Sequence, residues 1–123
     1  MIEHLAIQCA DVAASVAFYD AVLEPLGGRR VREMDDGAIG YGVDSPSFWL
    51  GPVRTGGVAR EVHIAFRATS RAAVTAFYEA ALAIGAEPLH APRVWPEYHP
   101  TYFGAFVRDP DGNNVEAVCH TPG

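Results

Sequence analysis

Two histidines and one glutamate carry the residue types needed to hold a divalent metal. His4 and His63 occupy the same place in two copies of one stretch. His4–Leu23 aligns without a gap on His63–Leu82, at a constant offset of 59 residues, with nine of twenty positions identical. Shared packing accounts for the matched alanines and for Phe18/Phe77, Tyr19/Tyr78 and Leu23/Leu82. It does not account for a titratable imidazole kept among them. Glu116 lies in the run Asn114-Val115-Glu116-Ala117-Val118-Cys119, where a buried carboxylate needs a partner. His4, His63 and Glu116 form a 2-His-1-carboxylate set. Such a set suits one divalent ion of Fe, Mn, Zn, Co or Ni and leaves positions open for water and substrate. Taken singly, each is an ordinary strand residue, hydrogen-bonded or facing solvent; the internal repeat is what joins them.

The elements that must position these residues follow from the hydrophobic pattern. Residues 2–9 alternate, placing Leu5, Ile7 and Cys9 on one face and His4, Ala6 and Gln8 on the other. Asp11 is an N-cap for a helix running to about Leu23, stopped by Pro25 and Gly27-Gly28. In the second copy Val62, Ile64, Phe66 and Ala68 form the apolar face opposite His63, Ala65 and Arg67, and Ser70 caps a helix ending at Gly85. Three short strands complete each half, at about 29–34, 38–43 and 48–51, then 87–91, 101–108 and 114–119. Asp35-Asp36-Gly37, Asp44-Ser45-Pro46-Ser47 and Asp109-Pro110-Asp111-Gly112-Asn113 supply turns. Residues 92–101, rich in proline, read as a decorated loop. The fold class is therefore α+β: two tandem βαβββ units, approximately 1–52 and 61–120, joined by a linker at 53–60 in one domain spanning 1–123. An open, cup-shaped mixed sheet with its helices outside would put the histidines on the concave side.

Composition narrows the function. With 123 residues, half of them hydrophobic, the chain can bury one core, and two halves of about 60 residues must share it. A net charge of −6 and no Lys/Arg run argue against nucleic acid as a partner. No apolar stretch approaches the roughly 20 residues of a membrane span, and Met1-Ile2-Glu3-His4 does not begin a signal peptide. Cys9 and Cys119, with no CxxC spacing, read as reduced thiols of a cytoplasmic protein. Exposed sheet edges predict a homodimer, with His4 meeting His63 either within one chain or across the pair.

The whole chain resembles the vicinal oxygen chelate superfamily, which includes glyoxalase I, extradiol dioxygenases, fosfomycin-resistance thiol transferases and the metal-free bleomycin-resistance proteins. The resemblance rests on the tandem units, Phe18-Tyr19, Phe77-Tyr78, and the run from Asp109-Pro110-Asp111-Gly112 to Glu116. It implies a cupped sheet around one metal ion chelated by two oxygens of a small-molecule substrate. Glyoxalase I has a fourth ligand on the last strand of the first unit. Aligning Phe48-Trp49-Leu50 on Val115-Glu116-Ala117 puts Trp49 there, so the three-ligand site is closer to the dioxygenase or thiol-transferase type. The stretch from His99 to Glu116 is similar to the extradiol signature, with Phe106 where that family carries a tyrosine and Tyr102 or Tyr98 as its substitute. The resemblance thus implies His99 and Tyr102 as catalytic groups. Arg93, Trp95, Trp49, Arg67 and Phe106 are the expected substrate-binding residues, while His90 and His120 read as structural. The alternative is a metal-free protein that binds or sequesters a small molecule, of the bleomycin-resistance type.

Overall fold

The computed structural model describes residues 1–57 and 60–123. The first unit comprises β1 (Leu5–Cys9), α1 (Val12–Leu23), a 3-10 turn (Glu24–Leu26), β2 (Arg29–Glu33), β3 (Ile39–Gly42) and β4 (Pro46–Pro52). The second comprises β5 (His63–Arg67), α2 (Arg71–Ala83), β6 (Pro88–Val94), β7 (Phe103–Arg108) and β8 (Asn114–Cys119). Each unit builds its own four-stranded mixed sheet, in the orders β1-β4-β3-β2 and β5-β8-β7-β6. The expected βαβββ duplication and the open sheets are both present.

Both helices start as their caps dictate: Asp11 accepts the Ala14 N–H and Ser70 the Ala73 N–H, each at 3.1 Å. Gly27 and Gly85 then turn the chain through positive φ, which ends the first 3-10 turn and α2 at little steric cost. The helices pack on one another and on the sheets, so the halves share one core. Phe18, Val22 and Leu50 of the first unit join Val74, Phe77, Val107 and Val115 of the second. Phe48 meets Phe66 edge-on across the seam, with ring centroids 5.2 Å apart. Cys9 and Cys119 are buried free thiols in this core.

Of the boundaries that differ from expectation, two bear on the site. β1 begins at Leu5, so His4 stands just before the strand. β6 runs on to Val94, so Arg93 is in a strand and the loop starts at Trp95. Pro92 misleads because β6 is an edge strand, where a missing N–H removes no necessary ladder bond. The register simply slips between His90↔Phe106 and Arg93↔Gly104.

Candidate metal centre

Strand register decides which side chains share the open face of the second sheet. Ala65 pairs with Glu116, Glu116 with Phe106, and Phe106 with His90, which makes one row across β5, β8, β7 and β6. His63 pairs with Asn114 in the row beside it. Glu116 is only 1% exposed, yet it is ionisable. Its Oε1 lies 2.9 Å from His63 Nε2, and its Oε2 accepts the Tyr102 hydroxyl. Burial, then the adjacent Glu116 carboxylate, pushes the Tyr102 phenol above its ordinary pKa, so it stays a donor. Asn114 Oδ1 is a buried acceptor with no hydrogen-bond partner. An orphaned carbonyl oxygen beside an imidazole and a buried carboxylate is a donor set that a hard or borderline cation would satisfy.

The third expected ligand is elsewhere. His4 is exposed and its Nδ1 contacts Glu3. Among the described residues, no three His, Cys, Asp or Glu side chains converge as a metal group. One protomer therefore brings together two members of the expected triad, His63 and Glu116.

The other expected residues divide by what they touch. Phe106 is buried under two imidazoles, His63 at 5.9 Å and His90 at 5.5 Å between centroids. Trp95 is buried and donates its indole N–H to the Gly104 carbonyl at 3.0 Å. Arg93 lays its guanidinium 3.4 Å above the Trp95 ring centroid and donates to the Val94 carbonyl at 2.8 Å. Its other terminal nitrogen reaches Glu97 at 3.5 Å, so one face and two nitrogens of the guanidinium are engaged. Arg67 pairs with Val118, two residues beyond Glu116, and lines a pocket at the seam between the units with Leu23, Leu26, Phe48 and Phe66. His99 is exposed; its Nδ1 accepts the Thr101 N–H at 3.2 Å, which assigns the ring proton to Nε2. Its ring faces His120 at 5.9 Å, and His120 faces Tyr102 at 5.2 Å.

In the first sheet the matching row is Ala6, Trp49, Gly40 and Arg32. Trp49 thus stands where Glu116 stands in the second unit, as the alignment of the two strand ends implied. Two residues that sequence reasoning passed over also matter. His90 shares the Glu116 row, a placement readable from sequence only once the β6–β7 register is known. Gly104 leaves room for the Tyr102–Glu116 bond, and a glycine inside a strand is the signal that marks such close approach.

The family model of the Glyoxalase/Bleomycin resistance protein/Dioxygenase superfamily matches residues 1–117. The chain belongs to that superfamily. A solved glyoxalase/bleomycin resistance protein from Albidiferax ferrireducens T118 is 27% identical, with a TM-score of 0.81 over 94% of this chain and 96% of that one. A lactoylglutathione lyase from Agrobacterium tumefaciens shares the fold at 21% identity and TM-score 0.70, covering 97% of this chain and 92% of that one. A genomically encoded fosfomycin resistance protein from Listeria monocytogenes does so at 16% and 0.69, covering 96% and 91%. Among curated proteins no sequence matches. The superfamily hosts several chemistries on one scaffold, so the reaction has to be argued from the residues. Among the described residues, no helix is long and apolar enough to cross a membrane.

Proposed function

We propose that this superfamily member is a metal-dependent enzyme acting on a small substrate with two neighbouring oxygens. His63 and Glu116 of one protomer and His4 of a second copy would hold the ion. The observation that carries the reading is the buried Glu116, held against His63 at 2.9 Å on the same open face as the orphaned Asn114 oxygen. Trp49 in place of a fourth donor keeps the site at three protein ligands, nearer a dioxygenase or thiol transferase than glyoxalase I. When bound, the divalent ion would act as a Lewis acid on the substrate oxygens. Tyr102 fixes the rotamer of Glu116 through its hydroxyl, an outer partner of the kind that orients ligating carboxylates. The His99 Nε2–H, oriented by the Thr101 bond to Nδ1, would donate a hydrogen bond to substrate, and the ring once protonated to imidazolium would serve as the general acid. Phe106 and Trp95 exclude water from the floor. The two buried free thiols are consistent with a cytoplasmic location.

A second reading has its own support. His63 and Tyr102 already satisfy both oxygens of Glu116 without an ion, as a metal-free binding protein requires. Elemental analysis of untagged protein purified anaerobically separates the two. Near-stoichiometric metal that is lost in Glu116→Ala and His4→Ala supports the enzyme, with iron or manganese favouring oxygen chemistry and zinc or nickel lyase or transferase chemistry. Equal metal content in wild type and both variants, or none in any after reloading, refutes it.

A further inference from the structure

The open face of the first sheet has a concavity of its own. Trp49 lays the benzo edge of its indole on Gly40, where a Cβ would come within 2.9 Å of both Cζ3 and Cη2. Only glycine permits that approach, so the indole reaches from β4 over its β3 neighbour. Beside it is a cavity of about 260 Å³ whose lining includes Ala6, Gln8, Trp49 and Arg54. The side-chain groups left over in that lining are donors. Gln8 uses its Oε1 to accept the Arg54 backbone N–H at 2.7 Å, leaving its amide NH2. The Trp49 indole N–H has no hydrogen-bond partner among the described residues. Arg54 gives one guanidinium nitrogen to Asp36 at 3.0 Å and keeps further N–H groups. Arg32, exposed at the end of the Trp49 row and without an ion-pair partner among the described residues, adds a second cation.

We propose that this face binds a small planar anion of the aromatic carboxylate class, with its ring on the Trp49 indole and its carboxylate taken by Arg54 and Gln8. A lining whose free side-chain groups are donors pairs with a ligand that accepts, and Arg32 at the end of the row adds a positive charge that the Arg54–Asp36 pair does not cancel. An indole in the lining favours a ring over an alkyl chain. The inference deepens the proposed enzyme by naming its substrate class. The binding groups all lie in one protomer, so metal-stripped protein tests it separately from the metal site.

The probe is benzoate, followed through the two indole N–H signals of ¹⁵N-labelled, chelator-treated protein, with Trp49→Phe assigning them. The Trp49 signal should shift saturably with benzoate. The Trp95 signal, bonded to Gly104, should stay. Arg54→Ala and Gln8→Ala should each weaken affinity by about tenfold, the loss of one hydrogen bond to the charged carboxylate. No saturable shift of Trp49, an equal response to acetate or benzylamine, or unchanged affinity in both variants would overturn the proposal. Metal loss in Glu116→Ala bears on the enzyme reading alone.

Discussion

A side chain at Gly104 would place its Cβ 3.1 Å from Glu116 Oε2 and 3.2 Å from Tyr102 Cε1. Neither neighbour can yield freely, because Glu116 is also tied to His63 and Tyr102 to Glu116. Gly104→Ala should therefore push the phenol off the carboxylate and leave a buried oxygen short of a donor, a cost of about 1–3 kcal/mol. The gain in strand backbone entropy offsets at most roughly 1 kcal/mol of this. A double-mutant cycle with Tyr102→Phe makes the claim specific. Tyr102→Phe should lower the urea midpoint in the wild-type background and leave it almost unchanged in the Gly104→Ala background. Additive losses would mean that Gly104 acts elsewhere. The three residues differ in how plainly the sequence displays them. Glu116 is conspicuous as a charge in an apolar run and His63 through its repeat partner. The sequence offers Tyr102 and Tyr98 alike, and the contact with Glu116 is made by Tyr102 while Tyr98 stacks on Trp95.

At the scale of elements, the turn after β7 does structural work that its composition conceals. Asp109 is buried and accepts from Tyr19 Oη at 2.7 Å, from Asn113 N and Nδ2 at 2.9 Å and from Asp111 N at 3.0 Å. Asp111 reaches back to the Ala10 N–H at 3.0 Å. The turn therefore bolts α1 of the first unit to the last hairpin of the second. Tyr78, the repeat counterpart of Tyr19, makes no such bond among the described residues, so the identity of the pair in sequence records their packing and hides this polar role. The helices, caps and most strands were legible because they depend on local period and capping chemistry. The clamp, the β6 extension and the Glu116 row were not, because they depend on pairing between distant segments. Burial, then Asp109, holds the Tyr19 phenol far above its ordinary pKa. In the unfolded chain it ionises near pH 10, so its contribution is whole below about pH 10 and is lost as the pH rises beyond that. Wild type should lose stability across that range more steeply than Tyr19→Phe, while the variant should be about 1–3 kcal/mol weaker at neutral pH. Parallel urea titrations at neutral and alkaline pH measure both, and parallel slopes would dissociate Tyr19 from the alkaline limb.

For the whole molecule, the packing that joins the units leaves both sheets open. Among the described residues β1 pairs only with β4 and β5 only with β8, so each sheet ends there in an edge strand next to a histidine. Leu5, 41% exposed on β1, and Val62, 39% exposed before β5, sit at those edges. Among the described residues His4 contacts Glu3 and does not join the His63–Glu116 pair, whereas the two-fold dimer proposed above would present each first unit to the second unit of its mate twice over. Mixing His4→Ala with His63→Ala protein tests this arrangement without knowledge of the substrate. In a mixed pair one site loses both histidines and the other keeps both. Each variant alone should hold little metal. An equimolar mixture refolded together should recover about a quarter of the wild-type occupancy, since half the pairs are mixed and each has one of its two sites intact. Light scattering on each variant establishes that pairing survives the substitutions. If the variants associate but the mixture stays as empty as its parts, a site shared between copies is excluded, and His4 must serve its own chain or no metal at all.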